Sequence, residues 1–404
     1  MINTCWINGL IGYICHNKNV IVMESPFVYY RQVTGKNFLG HKEECTILGN
    51  LLQHGDHVAI YAPPKSGKSS LIQQTLMRIR MTGFQFTVGE FNLINIREGN
   101  KFLLRYGSTV LRSVAVSPGE YADLVKTYLD GTHFVFDAKD YEESDAIIST
   151  NWDLDDEDIR AILSLPFRIC RDKKLNLILI MDEFQNLLLC DEGEKICALL
   201  GECLEKNRDY EDEGRCSLVF SGSMVNAMEG IFRHKNWFYR YVTIVNMDVP
   251  EEKEIIEYIH RGFMLGGKEI DRSLLHGVCA LFRCNMWYIN HLTAICDSLS
   301  RGYIVEATLI EALRTIISIH ESRFFAVMED LTNFQVSLLK ALSDGYTRFS
   351  AMDVIRKYNL NSSANVKRLK EALMKKEIIY YKDKDVPVIA DPLFEYWLKN
   401  YYFV

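Results

Sequence analysis

The sequence predicts a chain in three parts: an α/β core in which helices cover both faces of a parallel sheet, a helical unit, and a small C-terminal unit of helices and a hairpin. Apolar runs that end in polar turns, at residues 58–61 and 175–181, indicate buried parallel strands. From residue 251 the apolar residues recur at helical spacing. From residue 331, three helical segments precede two short strand segments.

The length supports this division, because 404 residues exceed what one hydrophobic core usually serves. We expect an α/β core over residues 23–250, a helical lid over 251–330 and a third domain over 331–404. Residues 1–22 are apolar and unpatterned, and they do not resemble a signal peptide. Our hypothesis is that translation naturally starts at Met23, so that residues 1–22 form an extension that is not native.

The composition excludes several classes of protein. With 48% hydrophobic and 25% charged residues the chain resembles ordinary globular proteins, and its net charge of −7 argues against a general nucleic-acid coat. No run of about 18 apolar residues is present, so we expect no membrane partner. The eleven cysteines contain no C-x-x-C pair, which favours reduced thiols in a cytoplasmic protein.

Residues 57–70, His-Val-Ala-Ile-Tyr-Ala-Pro-Pro-Lys-Ser-Gly-Lys-Ser-Ser, follow the P-loop template G-x-x-x-x-G-K-[ST], with Ala62 at the first glycine. In such a loop, backbone N–H groups and a helix N-terminus face a polyphosphate. Lys68 would reach the β- and γ-phosphates of ATP or ADP, and the Ser69 hydroxyl would bind Mg²⁺. The alternative is a strand, turn and helix that contain Gly-Lys-Ser by chance. The predicted nucleotide-binding residues are Pro63, Pro64, Lys65, Ser66, Gly67, Lys68, Ser69 and Ser70.

A second motif, Leu175-Asn-Leu-Ile-Leu-Ile-Met-Asp-Glu, has the Walker B form of an apolar strand followed by two carboxylates. It lies about 110 residues after the P-loop, and the carboxyl ends of parallel strands share one edge of a sheet. We expect Asp182 to hold Mg²⁺ and Glu183 to polarise the attacking water. Gln185 and Asn186 contact nucleotide or a neighbour in one interpretation and form a helix N-terminal turn in the other.

Three further features have two interpretations each. Ser221 and Ser223, at the end of a strand at 217–223, sense a γ-phosphate or cap a helix. Arg240 places positive charge on the γ-phosphate, in cis or across a subunit contact, or forms a surface ion pair. The acidic stretch 139–158 indicates a solvated loop and helix start more than a metal site.

The remaining pattern completes the core and the lid. The predicted elements are a helix around residues 47–52, a helix at 68–81, strands at 91–96 and 242–246, and helices at 274–282, 287–298 and 307–321.

Residues 331–404 predict a winged helix, with helices at 334–342, 350–357 and 364–376 and a hairpin of strands at 378–381 and 386–390. This unit has twelve Lys and Arg against eight Asp and Glu, a net charge of +4, which leaves −11 for the rest. Lys367, Arg368 and Lys370 cluster with Lys375 and Lys376 on the third helix, where such folds contact DNA. Binding to protein, or packing on the chain's own core, is the alternative.

The combination of motifs resembles the prokaryotic ATPases of the STAND division of AAA+-related P-loop proteins, the archaeal and bacterial type with a C-terminal winged helix. The resemblance extends from about Ser25 to the C-terminus. It rests on these segments: Ser25-Pro-Phe, Phe38-Leu-Gly-His with Glu44, Pro63-Pro-Lys-Ser-Gly-Lys-Ser-Ser, Ile180-Met-Asp-Glu-Phe-Gln, Phe220-Ser-Gly-Ser, Tyr239-Arg-Tyr and Asp391-Pro-Leu-Phe-Glu-Tyr-Trp-Leu.

The resemblance implies an ATP/ADP switch in which Phe38 to His41, including Gly40, lie near the adenine. Our first hypothesis is therefore an ATPase switch with Lys68, Glu183 and Arg240 as catalytic residues. The second is a DNA-binding regulator or initiator-like protein whose nucleotide is mainly structural. The third is an interaction scaffold in defence or signalling. An unidentified protein partner and a nucleotide-dependent homo-oligomer belong to the same set of expectations.

Overall fold

The structure is a computed structural model that describes residues 25–144, 146–207, 214–383 and 386–404. The hypothesis about residues 1–22 concerns a segment outside the described residues. Within them, no helix is long and apolar enough to cross a membrane.

A five-stranded parallel sheet forms the centre of the first part, in the order β2-β5-β6-β1-β7. Its strands are β1 (His57–Tyr61), β2 (Thr87–Asn92), β5 (Leu177–Asp182), β6 (Cys216–Gly222) and β7 (Val242–Ile244). Two short strands, β3 (Phe134–Val135) and β4 (Ser149–Thr150), form a separate antiparallel pair. The predicted parallel sheet is confirmed, although β2 lies earlier than the expected strand at 91–96.

Successive residues of these strands enter hydrophobic clusters on opposite faces of the sheet. Ile178 and Ile180 join the cluster that contains Leu71 and Leu76 of the P-loop helix. Leu179 joins the larger cluster on the other face. Because both faces are covered, the strands are apolar throughout, as the sequence pattern indicated.

Eight helices of the described residues surround or extend this sheet. They are α1 (Lys42–His54), α2 (Lys68–Met81), α3 (Gly99–Val114), α4 (Pro118–Tyr128), α5 (Ala138–Ser144), α6 (Asp156–Lys173), α7 (Gly193–Lys206) and α8 (Val225–Glu229). The helix predicted at 68–81 is confirmed, whereas α3 and α4 were not predicted. Asp155 caps α6 by accepting hydrogen bonds from the amides of Glu157 and Asp158, so the acidic stretch does contain a helix start.

The second part is helical, as predicted, with a two-stranded parallel pair. It consists of α9 (Glu252–Leu265), β8 (Glu269–Ile270), α10 (Arg272–Phe282), α11 (Met286–Leu299), β9 (Tyr303–Ile304) and α12 (Glu306–Glu329). The N-terminal segment belongs to this unit as well, because Phe27 is buried in its core and packs on Phe263 with ring centroids 4.7 Å apart.

The C-terminal part has the helices and hairpin of a winged helix. Its elements are α13 (Asn333–Ser343), α14 (Met352–Lys357), α15 (Ser363–Lys375), β10 (Ile379–Asp383), β11 (Val386–Ile389) and α16 (Pro392–Trp397). One hydrophobic cluster runs from the helical unit into this part, where Phe324 of α12 packs on Trp397 with centroids 5.5 Å apart. The two parts therefore share a core.

Candidate functional site

The ends of three neighbouring strands place the two predicted motifs side by side. β6 lies between β5, which ends at Asp182, and β1, which ends at Tyr61. In the parallel register, Tyr61 is opposite Gly222 and Met181 is opposite Phe220. The P-loop and the Walker B carboxylates therefore leave the same edge of the sheet, where α/β proteins bind ligands.

The P-loop turn ends at Gly67, which adopts φ +98° directly before α2. A side chain is strained in this conformation, so glycine is the residue that fits. The Ser66 hydroxyl oxygen is buried and has no hydrogen-bond partner in the described structure. The loop therefore retains a buried polar group that a ligand can satisfy.

Lys68, the first residue of α2, is a buried cation whose partners are carbonyl oxygens. Its side chain is only 6% exposed, and Nζ donates to the carbonyl oxygens of Ala62 at 2.8 Å and Pro63 at 3.2 Å. Burial lowers the pKa of Lys68 to about 8, while Glu183 and Asp182 act in the opposite direction. These carboxylates are near enough for electrostatic interaction, but none forms an ion pair with Lys68 in the described part of the chain.

Asp182, the predicted magnesium ligand, ends β5 and accepts a hydrogen bond from Asn92 Nδ2 at 2.9 Å. Asn92 is the last residue of β2 and lies opposite Asp182 in the parallel register. Sequence reasoning missed this residue, because the contact joins positions 90 residues apart. A carboxylate held in this way presents oxygen, the ligand type that Mg²⁺ prefers.

Glu183, the predicted base, adopts a left-handed backbone conformation with φ +55° directly after β5. Its Oε2 accepts hydrogen bonds from Ser223 Oγ at 2.6 Å, the Ser223 amide at 3.3 Å and Gln185 Nε2 at 2.5 Å. The structure thus brings Glu183 together with Ser223, the predicted phosphate sensor. Ser221 is instead buried within β6, and its hydroxyl oxygen has no partner among the described residues.

Comparison with solved structures identifies the fold. The Walker-type ATPase of Pyrococcus abyssi aligns with a TM-score of 0.64 at 14% identity, over 93% of this chain and 99% of that chain. The ORC2 protein of Aeropyrum pernix in its ADPNP-ADP complexes aligns with a TM-score of 0.58 at 13% identity, over 92% and 94%. The ADP form of the same protein gives 0.50 at 14% identity, over 90% and 95%.

The chain shares the fold of this Walker-type ATPase and of ORC2. A family model described as a probable winged helix domain matches residues 322–400, which confirms the predicted C-terminal domain type. A comparison with curated proteins finds no match.

In the α/β core, the N-terminal segment is hydrogen-bonded to the P-loop helix. The Val33 amide donates to Ser70 Oγ at 3.1 Å, and the Gly35 amide donates to Gln74 Oε1 at 2.7 Å. Ser70 therefore has a partner within the chain, whereas Ser69 is half-buried at the start of α2. These ties place the segment that leads to Phe38 and Gly40 beside the P-loop.

Phe38 and Gly40, which the resemblance places near the adenine, have packing contacts here. Phe38 packs against the cluster beneath the P-loop helix, and its ring lies 5.8 Å from that of His41. Gly40 has φ +69°, and a side chain there would come within 2.9 Å of Pro250. Gly40 therefore lies against the segment that connects the core with the helical unit.

Lys65 contacts the helical unit. Its backbone has φ +65°, and Nζ lies 3.7 Å above the ring of Trp287, at the start of α11. Burial lowers the pKa of Lys65 to about 8, Arg323 lowers it further, and Asp391 opposes the shift. The P-loop is thereby linked to α11, and the next residue, Tyr288, donates a hydrogen bond to Asp391 of the winged helix.

Among the described contacts, Arg240 interacts with the ring of its neighbour Tyr239. It is exposed, with φ +71°, and its guanidinium lies 5.3 Å from the centre of the Tyr239 ring. Another arginine, Arg233, donates from Nε to the hydroxyl of Tyr61 at 3.0 Å. Sequence reasoning missed Arg233, which the structure places beside the last residue before the P-loop.

The winged helix also contacts the core directly at α8, two residues after Ser223. The Asn226 side-chain amide donates to the carbonyl oxygens of Met374 and Ile379, and the Ala227 amide donates to Glu377 Oε1 at 2.9 Å. Glu377 also accepts from the Asn226 amide at 3.1 Å. The turn between α15 and β10 is thus docked on the element that follows Ser223.

The predicted DNA-contacting residues lie on α15. Lys367 and Arg368 are exposed, and Lys370 is half-buried with Nζ 5.0 Å from the centre of the Tyr381 ring. Because their charges face solvent or an aromatic ring, they differ from the buried Lys68.

A group of possible metal ligands combines two residues of the acidic stretch with His133, away from the P-loop motifs in sequence. His133, Asp155 and Asp158 offer ligand atoms within 4.8 Å of one another. Asp158 accepts hydrogen bonds from His133 Nδ1 at 2.7 Å and from the Asp155 amide at 2.9 Å. Helix capping and loop closure account for these carboxylates.

Proposed function

We propose that the chain is an ATP-dependent switch of the STAND type, which binds Mg-ATP between the α/β core and the helical lid and hydrolyses it slowly. The observation that supports this most is the burial of the Lys68 ammonium group without a carboxylate partner in the described structure. A buried ammonium group that has only carbonyl partners is poorly stabilised, and a phosphate would supply the missing negative charge.

The residues around Lys68 fit a magnesium-bound triphosphate. The unpartnered Ser66 hydroxyl and the glycine at position 67 suit a loop that approaches phosphate oxygens closely. Ser69 and Asp182 are oxygen ligands suited to Mg²⁺. When bound, Mg²⁺ would neutralise charge on the β- and γ-phosphates.

Side chains of the protein perform the other roles in binding and hydrolysis. Lys68 binds phosphate oxygens, and Asn92 orients Asp182 through its hydrogen bond. Glu183, which accepts a hydrogen bond from Ser223, orients and deprotonates the attacking water. The link from Lys65 through Trp287 and Tyr288 to Asp391 connects the nucleotide loop with the winged helix, which is the proposed effector domain.

Replacing Glu183 with Gln tests the proposal. We expect ATP to bind as tightly as in the wild type, while turnover falls at least about 100-fold, because the amide cannot accept the proton of water. Equilibrium ATP binding and phosphate release measure the two effects.

Glu90→Gln is the matched control. Glu90 lies on β2 and interacts with Asp182 electrostatically, but it bonds to Gln73 rather than to the Ser223 cluster. We expect its turnover to stay within a factor of two of the wild type. Equal turnover in the wild type and the Glu183→Gln variant would refute the proposed role of Glu183.

A second candidate function is DNA binding through the winged helix, in a regulator whose nucleotide is mainly structural. The observation that favours it is the exposure of Lys367 and Arg368 on α15. Nucleotide that copurifies with the protein and never exchanges would support this function over the switch. A protein partner and a nucleotide-dependent homo-oligomer remain predictions.

A further inference from the structure

Gln185 has contacts that the proposed reaction does not yet use. It is 4% exposed, and its Nε2 donates to Glu183 Oε2 at 2.5 Å. Its other polar atom, Oε1, is buried and has no hydrogen-bond partner in the described structure. Burying an amide costs free energy when only one of its two polar atoms is hydrogen-bonded. The hydrogen bond to Glu183 is therefore the interaction that explains why a glutamine lies here.

The orientation of the Gln185 amide follows from its neighbour. With the oxygen and nitrogen exchanged, Oε1 would face the carboxylate of Glu183, and two acceptors would oppose each other without a proton. Only the orientation with Nε2 toward Glu183 gives a hydrogen bond. Asn186 supports the same turn, since its Nδ2 donates to the Glu183 carbonyl at 2.9 Å.

Gly222 makes room for this amide. A Cβ atom at position 222 would lie 2.5 Å from Gln185 Oε1 and 2.6 Å from Cγ of Met228, so any larger residue would displace one of them. Gly222 ends β6 and precedes Ser223, which means that both donors to Glu183 depend on the same strand end. Packing at the site itself therefore requires glycine at position 222.

The two side-chain donors are not equivalent. The Ser223 hydroxyl carries one proton, and both Glu183 and a γ-phosphate are acceptors, so that proton serves one of them at a time. Gln185 is fixed by burial and can keep its bond to Glu183 when Ser223 turns to the phosphate. Its hydrogen bond is therefore the one that persists through nucleotide binding.

We propose that Gln185 is a positioning residue that holds the Glu183 carboxylate for attack on ATP, while Ser223 exchanges between Glu183 and the γ-phosphate. This inference rests on the proposed ATPase function. It assigns to the residue two positions after Glu183 a role distinct from nucleotide contact.

The test is Gln185→Met, which keeps the length of the side chain but removes its donor. We expect kcat for ATP to fall about 10- to 100-fold through loss of orientation, with the dissociation constant for ATP within a factor of two of the wild type. In a Glu183→Gln background the same change should cause no further loss, because the oriented carboxylate is already absent.

Two companion variants separate positioning from folding. Gln335→Met removes another buried glutamine, in the winged helix, and it should lower the thermal midpoint while leaving kcat unchanged. Gly222→Ala crowds both the Gln185 amide and Met228 without changing Gln185, and where the amide is displaced it should reproduce the loss in kcat. These two results together would tie the effect to the amide's position.

The outcomes are distinct. If Gln185→Met hydrolyses ATP at the wild-type rate, or if its loss adds fully to that of Glu183→Gln, the inference is overturned and the proposed function stands. If the wild type binds Mg-ATP but does not hydrolyse it, the proposed hydrolysis and this inference both fail. A selective fall in kcat that vanishes in the Glu183→Gln background supports the inference.

Discussion

The P-loop and the third helix of the winged helix both carry cations that are proposed to meet phosphates, but the two regions differ in their contact with water. Lys68 is buried and held by two carbonyl oxygens. Lys367 and Arg368 are exposed on α15. Charge in a desolvated, fixed position interacts strongly with one ligand, whereas solvated charge interacts weakly and is screened by salt. The same residue types therefore support specific binding in one region and general attraction in the other.

The largest expected effect comes from removing the buried cation. Lys68→Ala should weaken ATP binding by more than about 100-fold, because a desolvated phosphate would lose its charged partner. Isothermal titration with Mg-ATP measures the change. Lys65→Ala is the matched control: its ammonium lies over Trp287, so we expect less than a fivefold change. Undiminished binding by the Lys68 variant would refute the site.

The next effect is a dependence of ATP affinity on pH. In the free protein, burial lowers the pKa of Lys68 to about 8, and a bound phosphate would raise it again. Above pH 8 the complex therefore holds a proton that the free protein has lost, and binding must take that proton up. Affinity should fall as pH rises, by up to about tenfold per pH unit.

Binding titrations between pH 7 and 9.5 measure this dependence. The Lys65→Ala variant should retain it, although the pKa of Lys65 is also lowered to about 8 by burial. An affinity that stays constant across this range would show that Lys68 does not change its protonation on binding.

The smallest expected effect concerns the exposed cations. If α15 contacts duplex DNA, replacing both Lys367 and Arg368 with Ala should weaken binding about equally for different sequences. The slope of the logarithm of the DNA association constant against the logarithm of the salt concentration should also become shallower by about 2, since two phosphate contacts are lost. Fluorescence anisotropy over a salt series is the measurement.

Lys253→Ala with Arg261→Ala provides the comparison, since both residues are exposed cations of the helical unit. This pair should leave the salt dependence unchanged. Absence of DNA binding at low salt by the wild type would remove the DNA hypothesis and leave α15 as a surface for protein or for the core.

Local patterns were sufficient to predict much of the fold. Short apolar runs encode the strand of the P-loop and the strand before Asp182. Because such runs are buried on both faces of a sheet, their pattern predicts a strand, and the P-loop motif predicts the turn and helix that follow. The hairpin and helices of residues 331–404 were likewise readable from periodicity. In these regions the local preference of the chain and its tertiary environment agree.

Other elements depend on contacts that the sequence does not display. The apolar residues around 91–96 indicated a strand, but β2 is placed at Thr87–Asn92 by its pairing with β5, despite Gly89 and Glu90. Helix α3 contains Gly107, where a side chain would come within 2.5 Å of Ile162 on α6. A glycine that permits two helices to approach closely looks unfavourable for a helix until its neighbour is known.

The site shows the same division. Lys68, Asp182 and Glu183 were predicted as site residues because motif spacing specifies them, and their roles stay predictions. The bond from Asn92 to Asp182 depends on strand register, and the direction of Lys65 depends on a left-handed backbone. The exposed position of Arg240 depends on a loop whose path no pattern predicts. Such features require the assembled fold.

The docking of Glu377 on Asn226 and Ala227 has a consequence for the order of synthesis. These partners are 151 and 150 residues apart in the chain. A ribosome therefore releases the helix that follows Ser223 long before the residue that caps it has been made. Until residue 377 emerges, the first amides of that helix lack their carboxylate, at a cost of about 1 kcal/mol. A chain that stops early would carry both nucleotide motifs but would leave this helix start open to water.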